Sequence, residues 1–205
     1  MIFSLFSKNK TDYSLLLFYL ESYMKSVRRY LISIIILLSA STLLFANEEP
    51  NAFSFSFPDS VGGEIDLQEH KGKTLMLFVA STDCGFATQY KDFEKIYKEY
   101  ESNNFLVIGI SAIDLNVKEP RRGSDINKYC SDRFGTTYPI SNVIEVNLRS
   151  KNTHPFFNWA KSQGIEFKKN FEKILIDKNG NIVQKFKRDR RPTNKKIKNE
   201  IENII

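Results

Sequence analysis

Histidine is nearly missing from this chain of 205 residues: His70 and His154 are the only two, and neither has a second ligand at metal spacing. A zinc or haem site needs clustered donors, so this scarcity argues against a metal centre. It argues equally against a cysteine protease, which needs a histidine base; His154 precedes Pro155 in an aromatic-rich segment and reads as packing. Cysteine is as scarce, with Cys84 and Cys130 alone. No Cys-x-x-Cys pair exists, because Ala87 stands where the second cysteine would be, and a dithiol oxidoreductase of that type is disfavoured. A phosphate-binding loop is missing too: Gly72-Lys73-Thr74 imitates one, but the glycine it requires is replaced by Leu67. The apolar run from Leu31 to Phe45 is diluted by Ser33, Ser39, Ser41 and Thr42 and falls short of the roughly 20 residues that span a membrane.

That run has a different reading. Met24-Lys25-Ser26-Val27-Arg28-Arg29-Tyr30 is a basic lead-in, the short apolar stretch follows, and Ala46 precedes the polar Asn47-Glu48-Glu49-Pro50. This is the layout of a secretory signal peptide cleaved after Ala46, with Leu44 a less usual residue three positions before the cut. The expectation is export to the periplasm or the exterior, the alternative being a membrane anchor left uncleaved. Residues 1–23 fit neither signal nor core, and the simplest account starts translation at Met24. The organisation expected is therefore 1–46 as extension plus signal and 47–205 as one folded domain.

Within the domain, Cys84 follows the apolar, strand-like run Leu75-Met76-Leu77-Phe78-Val79-Ala80 and precedes Gly85-Phe86-Ala87-Thr88-Gln89-Tyr90, where a helical pattern begins. A helix N-terminus presents unpaired N–H groups and the positive end of the backbone dipole, which favour thiolate over thiol. Cys84 is thus a candidate nucleophile, the alternative being a buried core cysteine. An exported protein can also join an even pair of cysteines in a structural disulfide.

The remaining pattern is α/β. Phe53-Ser54-Phe55-Ser56-Phe57 alternates, Val61-Gly62-Gly63-Glu64 is a turn, and Ile65 and Leu67 alternate again, predicting an N-terminal β-hairpin. Phe93, Ile96, Tyr97 and Tyr100 recur at helical spacing, and Phe105 to Ile110 is a buried-strand run, so a strand–helix–strand unit with a parallel sheet is expected. Further helices are predicted from Ser124 to Phe134, ended by Gly135, and from Pro155 to Ser162, ended by Gly164. Asn179-Gly180 turns two strands between Glu172 and Phe186, and an amphipathic helix over Thr193 to Ile205 closes the chain. This order resembles a thioredoxin-like fold: a central mixed β-sheet flanked by helices, with the N-terminal hairpin.

Several blocks together resemble the glutathione peroxidases in their cysteine form, over about Phe53 to Ile205. Val79 to Tyr90 is similar to the family's Asn-Val-Ala-Ser-Lys-Cys-Gly-Phe-Thr-Pro-Gln-Tyr signature, and Lys118-Glu119-Pro120 to its Gln-Glu-Pro. Asp125-Ile126 and Tyr129-Cys130 fall in its Glu-Ile…Phe-Cys helix, His154-Pro155-Phe156-Phe157 resembles its His-Pro-Leu-Tyr, and Lys169 to Asp177 its Trp-Asn-Phe-x-Lys-Phe-Leu-Ile-Asp. The resemblance implies reduction of hydrogen peroxide and organic hydroperoxides in oxidative-stress defence. It implies Cys84 as the peroxidatic and Cys130 as the resolving cysteine, through a sulfenic acid and an intramolecular disulfide. Asn170 is expected to donate a hydrogen bond towards the sulfur or peroxide. No cofactor is implied; electrons would come from an external thiol, a thioredoxin-like protein or glutathione.

Three positions depart from the family: Lys118 replaces glutamine, Lys169 replaces tryptophan, and Asp83 stands where lysine is common. Asp83 should disfavour the neighbouring thiolate, and nearby Lys118 and Lys169 should favour it, replacing the family's neutral donors by direct electrostatic stabilisation of the thiolate and the leaving oxygen. The alternative is that both are solvated surface lysines. Asp114 and Asn116 have no role in this reading. The stretch from Ser162 to Asn170 is short for the family's tetrameric members, so a monomer is expected. Lys185 to Arg191 with Lys195-Lys196 is a basic run in a chain of pI about 9.2. Without an aromatic platform it reads as a solvated face rather than a nucleic-acid site. The competing class is a non-catalytic binding domain on the same fold, with Cys84 and Cys130 as a permanent staple.

Overall fold

The computed structural model describes the backbone of residues 10–45 and 49–205, and the side chains of 17–35 and 49–205. The chain divides into two units, 1–49 and 50–205. The first holds one helix, α1 (Lys10–Phe45), which includes Met24, the basic lead-in and the apolar run; its side chains from 17 to 35 are exposed. The expected cleavage point at Ala46 lies outside the described residues. Among the described residues, no helix is long and apolar enough to cross a membrane.

The second unit is built on a five-stranded sheet of order β5-β4-β3-β6-β7, from β3 (Thr74–Ala80), β4 (Phe105–Ala112), β5 (Ile140–Ile144), β6 (Lys173–Ile176) and β7 (Ile182–Phe186). β3, β4 and β5 run parallel; β6 is antiparallel to β3, and β7, antiparallel to β6, runs in the direction of β3 again, giving the mixed, thioredoxin-like sheet the sequence suggested. Both faces are covered, which is why β3 and β4 read as unbroken apolar runs. Leu75, Leu77, Val79, Leu106, Ile108, Ile110, Ile174 and Ile176 face one core with Phe156, Phe157 and Trp159 of α4 (Pro155–Ser162). Met76, Phe78, Ala80, Phe105, Val107 and Leu175 face the other. There they meet α2 (Gln89–Tyr100), α3 (Ser124–Phe134) and α5 (Lys195–Glu202). The period-two alternation of side chains along each strand assigns these sets.

Two expectations shift. The N-terminal hairpin is shorter than its alternation predicts, β1 (Ser56–Pro58) pairing with β2 (Glu64–Asp66). Ala52–Ser54 is a 3-10 turn instead, because Asn51 and Ser54 cap one another across it and offer the backbone a local alternative. β5 has no counterpart in the predicted elements: Pro139 precedes it, and polar Ser141 and Asn142 break its apolar run. Those two side chains are occupied, Ser141 Oγ accepting from Ser111 N–H at 3.0 Å and Asn142 Oδ1 from Gly123 N–H at 3.0 Å.

Candidate active site

β3 delivers the chain to Ala80, and the next four residues are held by bonds of their own. Cys84 N–H donates to the Ser81 carbonyl at 3.1 Å, and Asp83 N–H donates to Ser81 Oγ at 3.3 Å. Ala87 N–H then donates to the Cys84 carbonyl at 2.8 Å, and Gln89 N–H to that of Phe86 at 2.9 Å. The helix expected immediately after Cys84 therefore begins only at Gln89, and consecutive turns separate the thiol from it. Cys84 is 6% exposed. It sits in a groove of about 410 Å³ with Thr82 and Asp83 on its own side and Tyr129, Arg133 and Phe134 of α3 on the other.

The loop between β4 and α3 clamps this segment. Ser81 Oγ donates to the Lys118 carbonyl at 3.1 Å. Glu119, 1% exposed, accepts from Thr82 N–H at 2.6 Å, Thr82 Oγ1 at 2.6 Å and Arg121 N–H at 3.0 Å. A buried carboxylate is costly unless it is hydrogen-bonded, and these three donors supply both of its oxygens. Arg121 Nη1 donates to Thr82 Oγ1 at 2.5 Å and Asp83 Oδ1 at 2.9 Å, while the guanidinium lies 3.7 Å from the centre of the Tyr129 ring. The charge that Asp83 brings beside Cys84 is thus paired with Arg121. Sequence reasoning missed Arg121; its only signal was the doubled arginine directly after Lys118-Glu119-Pro120.

Lys118 and Lys169 are both exposed, and among the described residues neither ammonium has a hydrogen-bond or ion-pair partner or lines the Cys84 groove. Asn170 is fully buried. Its Nδ2 donates to the Val117 carbonyl at 2.6 Å, its own N–H donates to Asn116 Oδ1 at 3.1 Å, and its Oδ1 is buried with no partner among the described residues. The hydrogen bond that Asn170 Nδ2 makes is therefore to the overhanging loop rather than to sulfur. Asn116 and Asp114 acquire structural work here: Asp114 accepts from Val146 and Asn147 N–H at 2.8 and 2.9 Å. Phe171, next to Asn170, holds φ at +67°, a left-handed conformation costly for an aromatic residue. Its N–H donates to the Val79 carbonyl at 2.5 Å, fixing Asn170 beside the end of β3.

Cys130 is fully buried on the core side of α3, and both cysteines are free thiols. Burial pushes the Cys130 thiol up to about 12; the Glu119 carboxylate adds to this, while the Tyr90 hydroxyl and Arg121 pull the other way. The segment 187–194 packs against Phe86, Gln89 and Lys173. Arg188 stacks 4.8 Å over Phe86, and its carbonyl accepts from Gln89 Nε2 at 2.6 Å. Lys173, fully buried, donates from Nζ to Gln89 Oε1 at 2.8 Å and to the Arg190 carbonyl at 2.6 Å. Burial lowers it to about 7. His154 caps α4, accepting at Nδ1 from Phe156 N–H, and stacks on Phe57 with ring centres 4.8 Å apart, a packing role.

Residues 52–161 match the family model for glutathione peroxidase. The chain belongs to the glutathione peroxidase family. It is 32% identical over 155 residues to glutathione peroxidase-like peroxiredoxin 2 of Saccharomyces cerevisiae, covering 72% of this chain and 92% of that protein. It is 30% identical to the glutathione peroxidase homolog BsaA of Staphylococcus epidermidis, over 75% of this chain and 98% of that one. A crystal structure described as Trgpx in apo form superposes with a TM-score of 0.60 at 27% identity, covering 76% of this chain and 96% of that one. As a glutathione peroxidase family member the chain is a thiol-dependent peroxidase, its electrons supplied by an external thiol rather than a prosthetic group. Among the described residues, no cluster of three or more His, Cys, Asp or Glu could hold a metal.

Proposed function

We propose that Cys84 is the peroxidatic cysteine and Cys130 the resolving one. The observation that carries this reading is that the wall of the groove facing Cys84 is α3, the helix on which Cys130 lies. The Cys84 thiolate attacks one oxygen of a hydroperoxide; an S–O bond forms, the O–O bond breaks, and the leaving oxygen takes a proton to depart as water or an alcohol. Cys130 thiolate then attacks the Cys84 sulfur, the S–S bond replaces S–O, and the hydroxyl leaves with a proton as water. An external thiol pair, of a thioredoxin-like protein in preference to glutathione, reduces the disulfide and is itself oxidised. Asn170 ties the overhanging loop to the end of β3 and so keeps the groove's rim in place.

The test is rapid-mixing oxidation of the reduced full chain by hydrogen peroxide and an organic hydroperoxide, with mass spectrometry of the products. Fast oxidation that Cys84→Ser abolishes, ending in a Cys84–Cys130 disulfide, is expected. With Cys130→Ser the reaction should stop at sulfenic or sulfinic Cys84. Oxidation no faster than that of a free thiol would overturn the reading.

The short stretch from Ser162 to Asn170 supports a monomer, and the protein works outside the cytoplasm. The support is the order of the N-terminal residues: Lys25, Arg28 and Arg29 before an apolar stretch ending at Phe45, with a small residue, Ala46, before polar chain. The intact mass of protein recovered from the periplasm or medium should begin at Asn47; membrane-bound protein that retains Met24 would mean an anchor instead.

A further inference from the structure

Arg121 touches the segments of both cysteines. Thr82 and Asp83, its hydrogen-bond acceptors at 2.5 and 2.9 Å, directly precede Cys84; Tyr129, whose ring it covers at 3.7 Å, directly precedes Cys130. Arg133 also lies near the Tyr129 ring, at 5.7 Å, but it belongs to α3 and moves with it. Arg121 is outside the helix, and its own backbone N–H is anchored on the buried Glu119.

Tyr129, Arg133 and Phe134 line the groove, whereas Cys130 points into the core with Tyr90, Ile126 and Phe171. A disulfide needs the two Cα atoms within about 7 Å and the Cβ atoms directed at each other.

We propose that Arg121 is a positioning residue that latches α3 onto the Cys84 loop, holding the reduced site closed and setting the rate at which Cys130 is released to form the disulfide. This rests on the assignment of Cys84 and Cys130 given above. The latch acts on a movement in which the turn of α3 that carries Tyr129 and Cys130 unwinds or rotates to bring the sulfurs together, Tyr129 coming away from Arg121 as it does. A sulfenic acid that waits for Cys130 is open to a second hydroperoxide, which transfers another oxygen to sulfur to give the sulfinic acid and departs as water or alcohol. The latch thereby sets the partition between disulfide and irreversible oxidation. A partly exposed ion pair together with one stacked guanidinium changes such an opening equilibrium by about three- to tenfold.

The experiment uses the full chain and its Arg121→Gln and Arg121→Lys variants. Sulfenic acid and disulfide formation are timed separately by acid quench and mass spectrometry, with the sulfinic fraction read across a range of hydrogen peroxide. Hydrogen exchange of the α3 amides is measured on the reduced proteins. Arg121→Gln should form the disulfide about three- to tenfold faster, with faster α3 exchange to match and less sulfinic acid. Arg121→Lys, which keeps the charge but not the planar fork, should fall between. Should Arg121→Gln not fold, Tyr129→Leu removes the latch from the other side and carries the same expectation. A normal wild-type disulfide with an unchanged or slower rate in the variants overturns the latch alone. Absence of any Cys84–Cys130 disulfide in wild type overturns the assignment of Cys130 and the latch with it.

Discussion

The Lys173 amine has two acceptors, Gln89 Oε1 and the Arg190 carbonyl, and neither is charged. Two N–H donors suffice for them, so the neutral amine fits the site as well as the ammonium does. Burial drives the lysine down to about 7; Asp189 and Asp92 favour the cation, Arg191 opposes it, and Glu172 favours it weakly. The unfolded chain holds its proton to about 10.4, so between roughly pH 7 and 10 the unfolded state binds more protons and stability rises with pH. Below 7 both states are protonated and this slope vanishes. Urea midpoints of wild type and Lys173→Met at pH 7 and 8.5 test this: the wild type should gain about 1 kcal/mol per pH unit relative to the variant over that range. Equal pH slopes would show that Lys173 is charged throughout. Lys118 and Lys169 are a contrasting pair of cations. Both are exposed, so they act on Cys84 only as a screened field. The Lys118→Met/Lys169→Met double variant should keep at least about a third of the rate of oxidation by hydrogen peroxide; a hundredfold loss would put an ammonium in the reaction.

At the scale of elements, local chemistry decided what could be read in advance. α3 was legible at its C-terminus and α4 at its N-terminus because Gly135, at φ +72°, stops one and Pro155 starts the other. The Asn179-Gly180 turn was legible for the same reason: Gly180 adopts φ +87°, and a Cβ there would lie 2.8 Å from Asn51 Oδ1. β5 was not legible, because Ser141 and Asn142 serve as hydrogen-bond acceptors for neighbouring backbone and so break the apolar pattern. In the site, Cys84 and Cys130 stood out by residue type. Arg121 did not, since its meaning depends on Tyr129 and Asp83 arriving from other elements. Gly109 shows the same dependence on partners. It pairs in register with Phe78, whose ring stacks on Phe93 with centres 3.7 Å apart, and an added Cβ would meet Phe78 Cζ at 3.1 Å. Gly109→Ala should therefore push the Phe78 ring off Phe93 and cost about 1–3 kcal/mol in denaturant unfolding. An unchanged midpoint would mean that the ring can shift without loss.

For the whole molecule, the question is how much of the chain the fold needs. Among the described residues, both core clusters are built from residues from Ala52 onward. The boundary is nonetheless sharp. The Pro50 carbonyl accepts from Trp159 Nε1 at 2.7 Å, Asn51 caps the turn that follows, and Ala52 and Phe53 are buried. A chain beginning at Asn47 keeps all of these, and one beginning at Ser54 loses them together. Loss of the buried Phe53 and an unpaired indole N–H come to about 4 kcal/mol or more. In a domain of this size each kcal/mol moves the thermal midpoint by about 2–4 °C. The chain from Asn47 should thus melt within about 2 °C of the full-length protein, and the chain from Ser54 at least about 8 °C lower. Equal melting of the two truncated chains would show that the segment around Pro50 and Asn51 contributes nothing to the fold. A low midpoint already in the chain from Asn47 would show that the domain draws stability from the segment a signal peptidase would remove, and would count against cleavage after Ala46.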